Sequence, residues 1–257
     1  MLITAETLRH ELEAIADPAV AAVSKSFFKT GPGEYGEGDL FRGIRVPVLR
    51  KISRRSEALC LDGIVELLHS PFHEDRLLAL LVLVRRFSHA SESAREELFD
   101  LYLSNTLFIN NWDLVDTSAE HLVGCFLFNR DKAPLYRLVL SECIWERRIA
   151  IIATFYFIRH GRFGETLDLA EQLLFDPEEL IHKAAGWMLR EVGKRDQQLE
   201  EAFLVKHYRL MPRVMLRYAI ERFAEEKRQL YLKGLVPDRF QGFSNTEQDE
   251  LLPGYLI

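Results

Sequence analysis

The 257-residue chain has no long hydrophobic run: apolar residues make up 48% of it, but charges interrupt them every few positions. A membrane-spanning helix needs roughly 18 consecutive apolar residues, so none is expected. Cysteine is scarce. Cys60, Cys125 and Cys143 are far apart and lack metal-ligand spacing, which excludes a disulfide framework and predicts buried free thiols in a reducing compartment. The opening stretch MLITAETLRHELEAIA mixes charge with apolar residues where a secretory signal keeps an uninterrupted apolar core, so a cytoplasmic location is expected. The eight histidines never form HExxH or a comparable ligand set, and no metal or cofactor is expected. Basic charge is not in excess either. A net charge of −6 excludes a protein that coats nucleic acid indiscriminately through a broad basic surface.

Period-2 alternation is also missing, whereas the 3.6-residue period recurs almost throughout, which makes this an all-α protein. Between residues 58 and 223 the helices come in pairs. DRLLAL near 76, RRIAII near 148, HKAAGW near 183 and RVMLRYAI near 217 recur about every 35 residues, and a helix over 111–130 fills the skipped position. Such a period predicts a curved α-solenoid of HEAT-like repeats with a concave basic groove, each pair hiding its apolar face on its neighbours. One repeat domain is expected over 1–235, beginning with two capping helices and ending in an irregular tail over 236–257 with Pro237 and Pro253. The segment TGPGEYGEGD over 30–39 spells GxGxxG. No strand precedes it and its acids would repel a pyrophosphate, so it reads as a flexible connector, or as a ligand-contacting loop led by Tyr35.

Charge is segregated along the chain. Arg42, Arg45, Arg50, Lys51, Arg54 and Arg55 fall within fourteen positions, while acids collect over 91–100 and 169–179. In ELIHKAAGWMLREVGKR, Lys183, Trp187, Arg190 and Lys194 are separated by steps of 4, 3 and 4. They form a cationic stripe with an aromatic at its centre, suited to a phosphate backbone whose sugars rest on the ring. A solvated face with a half-buried Trp is the bland alternative. Arg85, Arg86, Arg148, Arg159, Arg213 and Arg217 repeat the theme on other second helices, which a solenoid gathers on one surface.

The stretch INNWDLVDTSAEHLVG over 109–124 carries two aspartates in its first two turns. Asn110 or Asn111 can cap the helix and Asp113 suits its dipole. Asp116, one turn after Trp112, has no such explanation. A carboxylate among phosphate-binding cations weakens the attraction unless it faces positive charge, and one such charge develops on a sugar as its bond to a base breaks. The competing reading pairs Asp116 with an arginine such as Arg148.

The motifs WDLVD, IWERRIA and IHKAAGWMLRE, in that order and with FFKT-loop-GIRVP near the N-terminus, resemble the AlkD-type DNA alkylation repair glycosylases, a HEAT-like-repeat family, over about residues 10–235. The resemblance implies that Asp116 is the catalytic carboxylate, that Trp112 and Trp187 wall an aromatic cleft around the lesion's deoxyribose, and that Arg148 binds backbone. It implies hydrolysis of the N-glycosylic bond of cationic alkylated purines, 3-methyladenine and 7-methylguanine, in duplex DNA by a monomer, without flipping the base into a pocket. Two departures stand out: Phe27 replaces the family's DNA-contacting tyrosine, and Asn111 replaces a tryptophan that often precedes Trp112. Lys183, Arg190 and Lys194 are expected on phosphates and Phe27 on substrate. The alternative is a non-catalytic solenoid that binds branched or damaged DNA, or a protein.

Overall fold

The computed structural model describes residues 3–236; the expected tail over 236–257 lies outside these from 237 on. Among the described residues every named element is helical, and pairing of the β type is confined to one isolated bridge between Leu40 and Phe72. Within the span expected as one domain, the chain forms two compact units, one up to Ala133 and one from Pro134 on.

In the first unit, α1 (Ala5–Ala14) starts at a reciprocal cap between Thr4 and Thr7, and α2 (Pro18–Phe27) at Asp17, whose carboxylate accepts from the amides of Ala19 and Val20. These ends use the short polar acceptor and the early proline that helix starts favour. Next come α3 (Val46–Arg55), α4 (Leu61–Leu68), α5 (His73–His89), α6 (Glu92–Ser104) and α7 (Trp112–Ala119). The helix expected to run on from α7 instead passes through a π-helical turn, Glu120–Gly124, into α8 (Cys125–Leu127). The second helices form a row: α3 packs on α5 and α5 on α7. Every residue of α5 from His73 to Leu83 is buried, as befits a helix covered on several sides.

The second unit continues the pattern with α9 (Ala133–Leu138), α10 (Ile144–Arg159), α11 (Gly164–Gln172), α12 (Glu179–Gly193), α13 (Gln197–His207), α14 (Arg213–Ala219) and α15 (Glu225–Lys233). Here α10 packs on α12 and α12 on α14. The small residues of HKAAGW explain the last contact. A Cβ on Gly186 would collide with the Met215 carbonyl oxygen and the Tyr218 Cβ, so only glycine lets the two backbones approach this closely.

One local expectation fails. Cys60 is exposed and Cys125 and Cys143 are half-buried, all three as free thiols, because Cys60 sits at the N-cap of α4 and accepts from the Gly63 amide. The 30–39 segment is a series of turns. Its acids tie it together: Glu34 accepts from the Gly31 amide and Glu37 from the Gly33 amide, each at 2.8 Å, while the Gly36 amide donates to the Lys29 carbonyl at 3.0 Å.

Candidate functional site

Phe27, Trp112 and Asp116 lie in the first unit. Asn111, fully buried, caps α7 by accepting from the Trp112 amide at 2.8 Å, and its own amide reaches Asp39 at 3.5 Å. That cap fixes where Trp112 emerges. The half-buried Trp112 ring stacks on Phe28, with centroids 5.5 Å apart, and meets the edge of Phe27 at 5.8 Å. Phe27 is 62% exposed. Two of the residues expected on substrate, Phe27 and Trp112, are thus brought together at the end of α2.

Behind them lies a charged cluster that sequence reasoning missed. His73, at the start of α5, packs against both Phe28 (4.7 Å) and Phe41 (4.9 Å), whose rings also stack on each other at 5.3 Å. Its Nδ1 faces Asp39 at 3.2 Å and its Nε2 faces Asp113 at 2.8 Å. With a carboxylate on each nitrogen, both nitrogens carry protons. Burial alone would lower the His73 pKa. The hydrogen bonds to Asp113 and Asp39 and the Asp113 charge outweigh burial and the nearby Arg76, and raise it to about 9. Asp39 is also held by Arg76, whose Nη2 donates at 2.6 Å. Burial pushes the Asp39 carboxyl up, but the His73 hydrogen bond and the Arg76 charge leave it below the usual range. Asp113 therefore does more than suit the helix dipole: it bolts the first turn of α7 to α5. No residue spacing along the chain signals a contact between positions 39, 73 and 113.

Asp116 lies one turn beyond Trp112 and is half-buried. Its charge reaches the fully buried Tyr102 phenol, which burial already pushes upward and which bonds the Ser118 hydroxyl at 2.9 Å.

The expected backbone-binding cations all lie in the second unit, and each already has a partner. Arg148, 5% exposed on α10, donates to the Leu180 carbonyl at 2.6 Å. On α12, Lys183 pairs with Glu179 at 2.5 Å, Lys194 with Glu191 at 2.5 Å, and Arg190 with Glu221 and, at 3.7 Å, with Glu191. Trp187 is half-buried, lies 5.8 Å from Phe155, and donates its indole N–H to Glu191 at 3.2 Å. Arg195 also reaches Glu191, at 3.3 Å. Burial pushes the Glu191 carboxyl up, but the Lys194, Arg195 and Trp187 donors pull it below its usual range. The stripe is therefore organised around an acid. Its signal was present in the sequence, since Glu191 stands four residues after Trp187 and three before Lys194, but a search for cations passes over it. Among the described residues no group of three or more His, Cys, Asp or Glu is placed to hold a metal ion, and no helix is long and apolar enough to cross a membrane.

A profile of the family described as "DNA alkylation repair enzyme" matches residues 8–223. The structure of a protein described as a predicted DNA alkylation repair enzyme from Enterococcus faecalis shares the fold, with a TM-score of 0.63 over 82% of this chain and 97% of that chain at 16% identity. Comparison with curated proteins gives no match.

Proposed function

Because the chain belongs to the DNA alkylation repair enzyme family, we propose that it is a glycosylase that hydrolyses the N-glycosylic bond of cationic alkylated purines, 3-methyladenine and 7-methylguanine, in duplex DNA. The observation that carries the reading is the acid one turn beyond an aromatic surface: half-buried Asp116 comes four residues after Trp112, whose ring is held by Phe27 and Phe28. A base that already bears positive charge is a good leaving group, so the enzyme needs no general acid. It needs to stabilise the sugar cation left behind, and a fixed carboxylate does so best where water is excluded. In this mechanism Asp116 faces the oxocarbenium-like sugar and orients the attacking water. Trp112, Trp187 and Phe27 contact the substrate, and Arg148, Lys183, Arg190 and Lys194 bind the DNA backbone.

The glutamate pairing of the second-unit cations fits a surface that exchanges partners: Lys183, Arg190 and Lys194 leave their glutamates for phosphates when DNA arrives. Arg148, anchored on a carbonyl, is already oriented. The enzyme acts as a monomer in the cytoplasm.

The decisive experiment measures release of 7-methylguanine from methylated duplex DNA by the wild-type protein and by Asp116→Asn. Loss of a charge aimed at the developing cation costs about 10²–10³-fold in rate, with an unchanged circular dichroism spectrum. Undiminished release by Asp116→Asn would remove the mechanism. Duplex binding by a wild-type protein that releases no base would point to the non-catalytic solenoid.

A further inference from the structure

Three separate supports of Trp112 lead back to one side chain. The first is Asp113, the second residue of α7, which accepts from His73 Nε2 at 2.8 Å. The second is the helix cap: Asp39 Oδ2 accepts from His73 Nδ1 at 3.2 Å and from the Asn111 side-chain amide at 3.5 Å, and Asn111 caps α7 through the Trp112 amide at 2.8 Å. The third is the ring itself, since His73 packs on Phe28 at 4.7 Å and Phe28 stacks on Trp112 at 5.5 Å. Phe28 is in turn held by its backbone. Lys29, the next residue, has a φ of 50°, a left-handed conformation that costs a non-glycine residue about 1–2 kcal/mol. The Gly36 amide fixes it there by donating to the Lys29 carbonyl at 3.0 Å, and any Cβ on Gly36 would lie 2.4 Å from the Phe28 carbonyl oxygen.

Two carboxylates on one imidazole require both ring protons. A neutral ring has one N–H, so its other nitrogen would turn a lone pair toward the second carboxylate, and a buried acceptor left without its donor costs about 1–3 kcal/mol. The charged groups that face the ring are Asp39 from the 30–39 segment, Asp113 from α7 and Arg76 from α5 itself, while Phe28 and Phe41 meet its faces. The neighbouring acids are engaged elsewhere: Glu74 accepts from the amides of Arg42, Gly43 and Ile44, and Asp75 from Arg42 and Ser70. Whichever proton leaves, the start of α7 loses a tie, either directly at Asp113 or through Asp39 and Asn111.

We propose that His73 is a positioning residue for base release: by holding Asp113, Asp39 and Phe28 together it fixes the Trp112 ring, and the helix that carries Asp116, in one orientation. The part in base release rests on the glycosylase reading, whereas the hold on Trp112 does not. His73 is 2% exposed and acts on the substrate only through these neighbours. Such an indirect role can be large, because a misplacement of about 1 Å in a reacting group can cost about 10²-fold in rate. Burial works against the charged ring, and the Asp113 and Asp39 hydrogen bonds overcome it, so His73 keeps both protons up to about pH 9. The hold is therefore complete at neutral pH and is lost as pH rises through that value.

The first test reads Trp112 alone and needs no activity. The chain has three tryptophans, and Trp145→Phe/Trp187→Phe leaves Trp112 as the sole indole. Acrylamide quenching of its emission should be weak at pH 7 and rise several-fold with a midpoint near pH 9. Adding His73→Gln should make quenching strong and independent of pH, with circular dichroism at each pH showing that the helices persist. The second test measures single-turnover release of 7-methylguanine from methylated duplex DNA with all three tryptophans in place. His73→Gln should lower the rate constant by up to about 10²-fold at pH 7 and leave the dissociation constant for undamaged duplex unchanged. The ratio of wild-type to variant rates, in which titration of the substrate base cancels, should fall toward one above pH 9. Combining His73→Gln with Asp113→Asn should be no slower than the slower single variant, since both break the same bond. Quenching that ignores both pH and His73→Gln would overturn the hold on Trp112, and wild-type release rates in His73→Gln would overturn its part in base release. A wild-type protein that releases no base would remove the glycosylase reading, and the quenching series would still decide the hold.

Discussion

A single buried imidazole shows how much one residue contributes to the placement of another. His73 holds Asp113 through one nitrogen and supports Phe28 with its face, and Phe28 in turn stacks on Trp112. Its effect on stability should depend on pH with a definite sign. The folded-state pKa of about 9 lies above the ordinary value of 6.5, so the folded protein binds the proton more tightly than the unfolded chain. The stabilisation is fully present below about pH 6.5 and is lost as pH rises through 9. Urea denaturation of wild type and His73→Gln between pH 6 and 10 should show a gap of up to about 3 kcal/mol at the acidic end, the value of a shift of this size, closing towards pH 10. A gap independent of pH would mean that His73 acts by packing alone. Asp113, which carries the other half of this contact, looks like an ordinary helix-start residue in the sequence, and that local reading is correct as far as it goes: its Oδ1 does accept from the Leu114 amide at 2.9 Å.

At the scale of the element, periodicity identified helices far better than it identified their interruptions. The second helices near 76, 148, 183 and 217 stand where the repeat of about 35 residues puts them, because the apolar stripe that buries a helix must recur every turn. The π-helical turn at Glu120–Gly124 left no such trace. Its wider turn shifts the helical phase of the side chains, and His121 within it is exposed. Gly186 marks the opposite case, a feature whose cause is a neighbouring helix. Gly186→Ala places a methyl against the Met215 carbonyl, and the resulting overpacking should cost about 1–3 kcal/mol. The gain in helix propensity, about 1 kcal/mol, opposes this but does not cancel a clash with backbone. A lower urea midpoint at unchanged m-value checks it; a higher midpoint would show that α12 and α14 separate freely.

For the whole molecule, net charge proves a poor guide and the pairing of charges a better one. An acidic chain of net charge −6 carries an unopposed basic face on α3, while the expected stripe on α12 is balanced by Glu179, Glu191 and Glu221. Glu191 holds Lys194, Arg195 and the Trp187 indole together. Replacing it with Gln keeps an acceptor for the indole but removes the competing charge. Duplex affinity of Glu191→Gln should therefore rise several-fold at low salt, the gain shrinking as salt screens it. An unaltered affinity would place the α12 stripe away from DNA.

The sequence by itself determined the all-helical class, the paired repeat, the family and the identity of the conspicuous residues, because each of these is written in spacing along one chain: an apolar stripe every 3.6 residues, a pair every 35 or so, Asp116 four after Trp112. Only the tertiary structure decided which charges are free. Arg42 and Arg50 are alike in sequence, yet one is clamped by Asp75 and Glu13 and the other meets solvent. The difference arises from partners brought together by packing from positions about thirty residues away, and the strength of an ion depends on those partners and on its burial rather than on its neighbours in the chain.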